Sequence, residues 1–336
     1  MKRLGVGVIG CGAISGNHFH ALEKLDTAQL RAVCDIDPDK LQKAAQEQGV
    51  KGYADWRELI SQRDIDAVHV CVPHYLHAQI SIAALQAGKH VLCEKPLGVS
   101  LKEAQAMAQA AKDSGKSLTV CFQNRFNGAS RRMKEIIDGG ELGPIVGGSA
   151  FVCWNRGGAY YTDSPWRGKW ATEGGSVLIN QAIHTLDLMR WLSGGFELTA
   201  ASMSAKRLAD VIETEDTCDI LFTNAQGGRF LLYCSNCGVS NMPVQLHLIF
   251  ERGEMHMDGP RLTIKKPSGT LFEDYATETK VGKDYWGSGH GPFIADFYSR
   301  LQAGQPPFIT PDDGMESTRL MEEAYLSSAQ GRRRPE

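Results

Sequence analysis

Two titratable side chains, far apart in the sequence, have the chemistry needed to move a proton to or from a hydroxyl group. Lys95 follows a short apolar run at residues 90–93, and Pro96 fixes the backbone directly after it. His184 lies in a second polar cluster. Lysine usually lies at the surface, and a histidine among apolar residues is often a hydrogen-bonded core residue. A catalytic role therefore depends on the elements that position the two side chains.

A glycine-rich turn near the N-terminus has the spacing of a dinucleotide-binding site. It runs from Gly10 to Ser15, between a predicted buried strand at residues 4–9 and a predicted helix at residues 15–25. Gly10 permits a tight turn. Gly12 lets the backbone approach a pyrophosphate at the helix N-terminus, where unpaired N–H groups favour anions. The same pattern also occurs in ordinary strand-to-helix turns, so the motif needs its context.

An acidic residue in the expected place supplies that context. Asp35 ends the next predicted strand, 23 residues after Gly12, near the spacing of a carboxylate that accepts the ribose hydroxyls. A carboxylate here repels a 2′-phosphate, and the following residues supply no arginine, so the sequence favours NAD over NADP. Ala13 and Ile14, inside the turn, complete the predicted phosphate contacts. An oxidised nicotinamide beside Lys95 would lower the pKa of that lysine and suit it to proton exchange.

A second polar cluster follows paired glycines at residues 174–175. In a predicted helix over residues 177–192, Asn180, His184 and Asp187 are spaced by four and three residues, which places them on one face. Paired glycines before the helix indicate the close approach of another group. A polar stripe of structural residues is the competing interpretation. If the functional one holds, Lys95 and His184 are two titratable groups near one alcohol.

The loop before that helix is rich in aromatic and cationic residues, among them Trp166 and Arg167. Aromatic faces stack on the apolar side of a sugar ring, and arginine holds hydroxyl or acidic groups. Sequence alone favours this role and plain domain packing about equally. Arg125 and His290 are further candidates for the substrate pocket.

The bulk composition excludes several classes of protein. The 336-residue chain exceeds what one core usually supports, and its net charge of −3 shows no basic excess for nucleic acid. Nine scattered cysteines argue against a secreted disulfide framework. Cys234 and Cys237 lack a second pair for zinc, so no metal site is predicted. The sequence shows no secretory leader or bilayer-spanning run, and a cytoplasmic location is expected.

The order of the predicted elements indicates an α/β protein of two domains. Strands and helices alternate over residues 1–125, which is typical of a Rossmann doubly wound parallel sheet. Residues 126–336 contain strands in succession without intervening helices, which indicates a large, mostly antiparallel open sheet in a second α/β domain. The C-terminal helices are free to pack back on the first domain.

At these motifs the chain resembles the Gfo/Idh/MocA family of sugar and cyclitol oxidoreductases, and the resemblance covers nearly the whole chain. The matching pieces are the turn from Gly10 to Ser15 with His18, Asp35, Pro73 with His77, Glu94-Lys95-Pro96, Gln123-Asn124-Arg125-Phe126, Gly174-Gly175 with Asn180, His184 and Asp187, His290 with Asp296-Phe297, and Ser327-Ser328-Ala329-Gln330-Gly331.

The resemblance implies roles for several of these residues. Lys95 would hydrogen-bond the reacting hydroxyl, across a cis peptide to Pro96, with His184 as the partner acid or base. Pro73, His77 and Glu94 join the expected cofactor site. The position of Asn180 is often aspartate in the inositol dehydrogenase branch, so inositol is not carried over as the substrate and Asn180 is expected to hydrogen-bond a substrate hydroxyl. The resemblance also implies a homodimer or homotetramer formed through the second domain's sheet.

The sequence therefore predicts an NAD-dependent dehydrogenase that acts on a secondary alcohol of a sugar, sugar derivative or cyclitol. Two alternatives stay open at this point. A redox-neutral glycosidase or epimerase that retains NAD would use the same residues. A non-enzymatic, ligand-sensing regulator is disfavoured because both Lys95 and His184 are retained.

Overall fold

The computed structural model describes residues 3–276 and 287–328, which form two compact units. The first unit runs to residue 123 and also contains residues 290–318. The second unit contains residues 124–289 and begins again at residue 319. Residues 290–318 thus belong to the first unit although they come late in the chain.

The first unit contains a six-stranded parallel sheet in the order β3-β2-β1-β4-β5-β6, so the predicted doubly wound sheet is confirmed. Its elements up to residue 123 are β1 (Leu4–Ile9), α1 (Ser15–Glu23), β2 (Ala28–Cys34), α2 (Pro38–Gln48), β3 (Lys51–Tyr53), α3 (Trp56–Ile60), β4 (Ala67–Val70), α4 (His77–Gln86), β5 (His90–Cys93), α5 (Leu101–Ser114) and β6 (Leu118–Val120). A 3₁₀ turn, His74–Leu76, precedes α4.

Local signals in the sequence define these elements well. The helix α2 begins at an Asp37 cap that accepts the Asp39 and Lys40 N–H groups, and it ends at left-handed Gly49. The helix α5 is bounded in the same way by Ser100 and Gly115. The central strands are buried on both faces, which is why they read as continuous apolar runs.

The second unit contains an eight-stranded sheet in the order β14-β13-β12-β11-β7-β10-β9-β8. Strands β7 and β10 pair in parallel and all other neighbours are antiparallel, which confirms the predicted mostly antiparallel sheet. The elements after residue 123 are a 3₁₀ turn (Gln123–Phe126), α6 (Gly128–Asp138), β7 (Ile145–Cys153), α7 (Gly158–Thr162), a π-helix (Val177–Ala182), α8 (Ile183–Ser193), β8 (Glu197–Ser204), β9 (Thr217–Thr223), β10 (Arg229–Ser235), β11 (Gln245–Phe250), β12 (Gly253–Asp258), β13 (Arg261–Lys266), β14 (Gly269–Asp274), α9 (His290–Gln302) and α10 (Pro311–Ser328).

Two strands of this sheet were not predicted. Strand β12 follows β11 after the two-residue turn at positions 251–252, and its pairing continues the sheet. Strand β14 is an edge strand whose residues are nearly all exposed, so it lacks the apolar alternation of a half-buried strand.

The predicted helix over residues 177–192 is wrong in its first part. The segment Val177–Ala182 is a π-helix, and regular α-helix begins only at Ile183. A π-helix has i→i+5 hydrogen bonds and therefore more residues per turn than an α-helix. The regular α-helix on which the predicted common face of Asn180, His184 and Asp187 was based therefore begins only after Asn180.

The paired glycines before the π-helix do mark a close approach, and the approaching group is Tyr325 of α10. A Cβ added to Gly175 would lie 1.9 Å from the Tyr325 hydroxyl oxygen, and Gly175 has a φ of 150°. The Tyr325 hydroxyl donates to Glu215 Oε1 at 3.0 Å, so it cannot move away without losing that bond. Packing against Tyr325 within the second unit therefore requires a glycine at position 175.

We expect Gly175→Ala to lower the free energy of unfolding by roughly 2–4 kcal/mol, because the substitution adds a steric clash to an unfavourable φ. Gly195→Ala is the matched control, since Gly195 also has a positive φ of 113° but nothing within 4 Å of its added Cβ. Chemical denaturation measures both variants. Equal losses in the two would contradict the packing role of Tyr325.

Candidate active site

The turn between β1 and α1 is closed on one side and open on the other. Gly10 has a φ of 97°, and an added Cβ there would lie 2.3 Å from the Cys71 carbonyl oxygen, so the turn needs glycine to pack beside β4. An added Cβ at Gly12 meets no atom within 4 Å. Gly12 and Ala13 are exposed, and Ile14 precedes the first residue of α1. The turn therefore offers backbone N–H groups and open space to an anionic ligand, as a dinucleotide requires.

Asp35 lies at the end of β2 and is tied to the same turn. Its Oδ2 accepts the Cys11 N–H at 2.7 Å, and its Oδ1 accepts the Asp37 N–H at 2.9 Å. Each oxygen has a second lone pair, so the carboxylate retains acceptor capacity for ribose hydroxyls. The carboxylate thus fixes the glycine turn and presents a negative charge beside it.

The Glu94-Lys95-Pro96 segment follows β5, at the edge of the sheet where ligands of doubly wound folds bind. The peptide bond between Lys95 and Pro96 is cis, as the resemblance implied. Lys95 is half-buried. Glu94 is buried, and it accepts the His18 Nε2–H at 3.1 Å on Oε1 and the Lys95 N–H at 3.3 Å on Oε2.

The carboxyl of Glu94 is ionised. Burial opposes ionisation, but hydrogen bonds from His18 and His290 outweigh it and hold the pKa of Glu94 well below its usual value. His290 lies in the first unit, with Nε2 3.8 Å from Glu94 Oε1. The prediction that His290 lines the substrate pocket finds no support here, because its ring faces a buried carboxylate.

His77 and Pro73 lie in the neighbouring loop, after β4. His77 is buried, with Nδ1 2.7 Å from the Pro96 carbonyl oxygen and Nε2 2.9 Å from the Val72 carbonyl oxygen. Burial lowers the pKa of His77 despite these acceptors. Both ring nitrogens therefore lie against the backbone of the loops that follow β4 and β5, and the side chain holds those loops together.

Asn180 lies in the second unit, where a buried carboxyl fixes its amide group. Asn180 Nδ2 donates to Glu173 Oε1 at 2.6 Å and to the Tyr160 hydroxyl at 3.3 Å. Glu173 also accepts the Gly168 N–H on Oε2. The donor side of the Asn180 amide is thus turned toward Glu173.

Burial raises the pKa of Glu173 to about 7, although the Gly168 N–H and Asn180 favour the ionised form. The folded protein therefore keeps this proton to a higher pH than the unfolded chain does. Ionising Glu173 opposes folding, so its contribution to stability falls as the pH rises from 4.5 toward 7.

Arg125 and Asp187 were predicted to contact substrate, but the structure pairs them with each other. Arg125 Nε and Nη2 donate to the two carboxylate oxygens at 2.7 and 2.6 Å, and Arg190 Nη2 adds a longer contact of 3.4 Å. Arg125 is 2% exposed and Asp187 is 0% exposed. Two charges buried in a bidentate pair neutralise each other, so this geometry does not support substrate contact by either.

The aromatic loop packs around Tyr160. The Arg167 guanidinium lies 4.0 Å from the centre of the Tyr160 ring and 5.3 Å from that of Trp166. The Arg156 guanidinium lies 5.2 Å from the centre of the same Tyr160 ring. The Tyr160 hydroxyl accepts from Asn180 and Gln181. Loop and π-helix thus form one cluster of cations, aromatic rings and amides within the second unit.

His184 is half-buried at the start of α8, in the same unit as Asn180. Lys95 belongs to the first unit, so the predicted site residues fall into two groups that are each well defined by themselves. Of the C-terminal motif, residues 329–331 lie outside the described part of the chain.

Sequence reasoning missed Glu173 and Arg156. Glu173 directly precedes the paired glycines, and this position was the available signal. Arg156 follows β7 and donates to the Asn155 carbonyl oxygen and to Asn241 Oδ1, a residue far away in the sequence. No local sequence pattern predicts a hydrogen bond between residues as far apart in the chain as Arg156 and Asn241.

Two family models match the chain over most of its length. The model described as an oxidoreductase family with an NAD-binding Rossmann fold matches residues 4–122, and that of the GFO/IDH/MocA C-terminal domain matches residues 130–256. The chain belongs to the Gfo/Idh/MocA family. It is an NAD-binding oxidoreductase by that membership, and the resemblance seen in the sequence is confirmed. Within residues 3–276 and 287–328, no helix is long and apolar enough to cross a membrane.

Two relatives and one solved structure show which proteins of known activity or known structure the chain is similar to. D-apiose dehydrogenase from Paraburkholderia graminis is 26% identical over 99% of this chain and 89% of the relative. Inositol 2-dehydrogenase from Salmonella typhimurium is 26% identical over 90% of this chain and 88% of the relative. The WlbA dehydrogenase from Bordetella pertussis, solved with NADH and UDP-GlcNAcA, is 28% identical with a TM-score of 0.85, covering 100% of this chain and 99% of that one.

We expect Asp187→Ala to cost about 3–5 kcal/mol of stability, because it leaves the Arg125 guanidinium buried without its carboxylate. Asp138→Ala is the control, since within the described residues Asp138 forms a surface ion pair with Lys134. Urea denaturation measures both variants. A variant of normal stability whose KM for substrate rises would show instead that Asp187 binds substrate.

Proposed function

We propose that this chain is an NAD-dependent dehydrogenase that oxidises a secondary alcohol of a sugar, sugar derivative or cyclitol. The observation that carries the proposal is the Glu94-Lys95-Pro96 segment at the carboxyl edge of a doubly wound sheet whose β1–α1 turn is open at Gly12. The relatives named above are dehydrogenases of sugars or cyclitols, or bind a sugar nucleotide. The first unit would bind the cofactor and the second the substrate.

The cofactor-holding residues are those of the turn and the end of β2. The N–H groups of Gly12, Ala13 and Ile14 suit a pyrophosphate, and the open space beyond Gly12 lets it approach. Asp35 suits the ribose hydroxyls and disfavours a 2′-phosphate, which supports NAD rather than NADP. His77 has a positioning role, since its nitrogens face backbone carbonyl oxygens. Pro73 starts the turn that carries it.

Lys95 and His184 are the residues we assign to the substrate proton. A bound nicotinamide would supply the acceptor for a hydride from the carbinol carbon. Lys95 holds the reacting hydroxyl by a hydrogen bond and accepts its proton, because a hydride cannot leave an alcohol that stays protonated. His184 is the second group able to exchange that proton.

The substrate residues we retain are Asn180, Trp166 and Arg167. Glu173 fixes the Asn180 amide, which presents its carbonyl oxygen to a donor such as a sugar hydroxyl. Trp166 and Arg167 supply an aromatic face and a cation in the same cluster. Glu173 is a positioning residue in this arrangement.

The open face of the eight-stranded sheet supports a further proposal, that the protein is a homodimer or homotetramer. On β10, buried residues alternate with half-exposed ones, and Ile249 on β11 is 42% exposed. Such a face suits an isologous contact between two copies. The cytoplasmic location expected from the sequence stays a prediction.

We expect the wild-type protein to accumulate NADH with at least one member of a panel of sugars and cyclitols. Lys95→Ala should then lower turnover by about 100-fold or more, the loss typical of a missing acid or base, while NAD affinity changes little. The exposed Lys102 provides the control variant, Lys102→Ala, which keeps full turnover.

Absorbance at 340 nm measures turnover, and calorimetry measures NAD affinity. Loss of NAD binding in Lys95→Ala would contradict the assignment. A substrate that turns over without any NADH accumulating would identify a redox-neutral enzyme that retains NAD.

Cofactor choice provides a second test. The double variant Asp35→Ser/Ile36→Arg should raise the NADP-to-NAD ratio of kcat/KM by about 10- to 100-fold, because an arginine replaces the repulsive carboxylate. Ile36 is 87% exposed, so the arginine fits without repacking. Ile36→Arg alone is the control and should change the ratio less. An unchanged ratio in the double variant would contradict Asp35 as the ribose ligand.

A further inference from the structure

A buried chain of hydrogen bonds in the first unit ends on Glu94, and the proposed function does not account for it. The Tyr298 hydroxyl lies 2.8 Å from His69 Nε2, His69 Nδ1 lies 2.9 Å from His18 Nδ1, and His18 Nε2 lies 3.1 Å from Glu94 Oε1. The four side chains come from α9, β4, α1 and the end of β5. Tyr298, His69 and His18 are fully buried.

The chemistry of Tyr298 sets the direction of every bond in this chain. In the part of the chain that the structure describes, His69 Nε2 is the hydrogen-bond partner of the Tyr298 hydroxyl. A buried hydroxyl has to donate its proton, so His69 Nε2 is the acceptor. Burial lowers the pKa of His69 well below its usual value, so the ring is neutral and carries its proton on Nδ1.

The same reasoning continues to Glu94. His69 Nδ1–H donates to His18 Nδ1, so that nitrogen of His18 carries no proton. His18 therefore donates from Nε2 to Glu94 and fixes the carboxylate by that bond. This Tyr298–His69–His18 relay fixes one carboxylate orientation.

Three other groups beside Glu94, His290 and two thiols, also leave its charge in place. Burial lowers the pKa of His290, which favours the neutral ring. Burial and the nearby carboxylate raise the pKa of the Cys71 and Cys121 thiols far above the usual value, so both stay protonated. Cys121, His290 and Glu94 have ligand atoms within 4.8 Å of one another, and hydrogen bonding to the carboxylate accounts for this grouping.

The position of this charge in the sheet relates it to one half of the cofactor. A doubly wound sheet contains two mononucleotide-binding halves, and here the adenosine half belongs to β1 and β2, where the glycine turn and Asp35 lie. Glu94 follows β5, with Cys71 after β4 and Cys121 after β6 on either side. The carboxylate therefore lies in the half that receives the nicotinamide.

We propose that Glu94 is a fixed negative charge that makes the protein bind oxidised nicotinamide, which is cationic, more tightly than reduced nicotinamide, which is neutral. This proposal rests on the proposed function only in requiring that the first unit binds NAD. The positioning residues are His18, His69 and Tyr298. Glu94 then favours the oxidised cofactor on binding and the release of the reduced one after hydride transfer.

The test is the ratio of two dissociation constants, for NAD⁺ and for NADH, measured by calorimetry and by NADH fluorescence. Glu94→Gln keeps the size of the side chain and an acceptor oxygen for the His18 N–H, but removes the charge. We expect the ratio Kd(NAD⁺)/Kd(NADH) to rise on the order of tenfold, mainly through weaker NAD⁺ binding. Glu58→Gln, which removes one charge from an exposed position in the same unit, should leave the ratio unchanged.

The outcomes separate this proposal from the proposed function. Wild-type protein that binds neither cofactor form refutes both. Wild-type protein that binds both forms, with Glu94→Gln weakening them by the same factor or leaving them unchanged, refutes this proposal alone. Glu94→Asp, which keeps the charge, should retain a ratio close to wild type, and a ratio like that of Glu94→Gln would count against a charge effect.

If Glu94→Gln does not fold, Tyr298→Phe provides the second test. The loss of the hydroxyl frees His69 and His18 to change tautomers, so the Glu94 carboxylate is no longer held in one orientation. The ratio in Tyr298→Phe should therefore rise above that of wild type. A ratio equal to that of wild type would overturn the proposal.

Discussion

The hydrogen bond from His18 to the buried carboxylate of Glu94 is the interaction on which the candidate cofactor site depends. An isolated buried carboxylate is costly and would take up a proton, so it persists as an anion only where donors are fixed around it. Here the donor is fixed in turn by His69 and Tyr298, which come from a strand and from a helix late in the chain. The return of residues 290–318 to the first unit thus has a chemical consequence, since it supplies Tyr298 and His290.

The second unit solves a related problem with a different result. Glu173 is as deeply buried as Glu94, but its donors are a backbone N–H and the amide of Asn180, and its pKa is raised rather than lowered. The Glu94 carboxyl is therefore held as an anion, whereas the Glu173 carboxyl gains or loses its proton near neutral pH. In both cases a buried acid fixes the neighbouring functional group: the segment that carries Lys95 in one unit and Asn180 in the other.

Much of the fold could be predicted because its signals are local. The bounds of α2 and α5 follow from capping residues and terminal glycines, and the strands β1, β4 and β5 follow from apolar runs. The glycine turn and Asp35 were likewise visible in short motifs, and the family resemblance implied the cis Lys95–Pro96 bond. Local signals failed where a partner lies far away in the sequence. Arg125 and Asp187 were predicted to line the substrate pocket. The structure shows that they form an ion pair with each other, although they are 62 residues apart in the sequence. The π-helix at residues 177–182 has no sequence signature of its own.

The most direct test of this account is a crystal structure of the protein with NAD⁺. We expect the pyrophosphate on the N–H groups of Gly12 to Ile14, the adenosine ribose on Asp35, and the nicotinamide at the end of β5 beside Lys95. A cofactor bound in the reverse direction, or with its nicotinamide away from the segment after β5, would contradict the account.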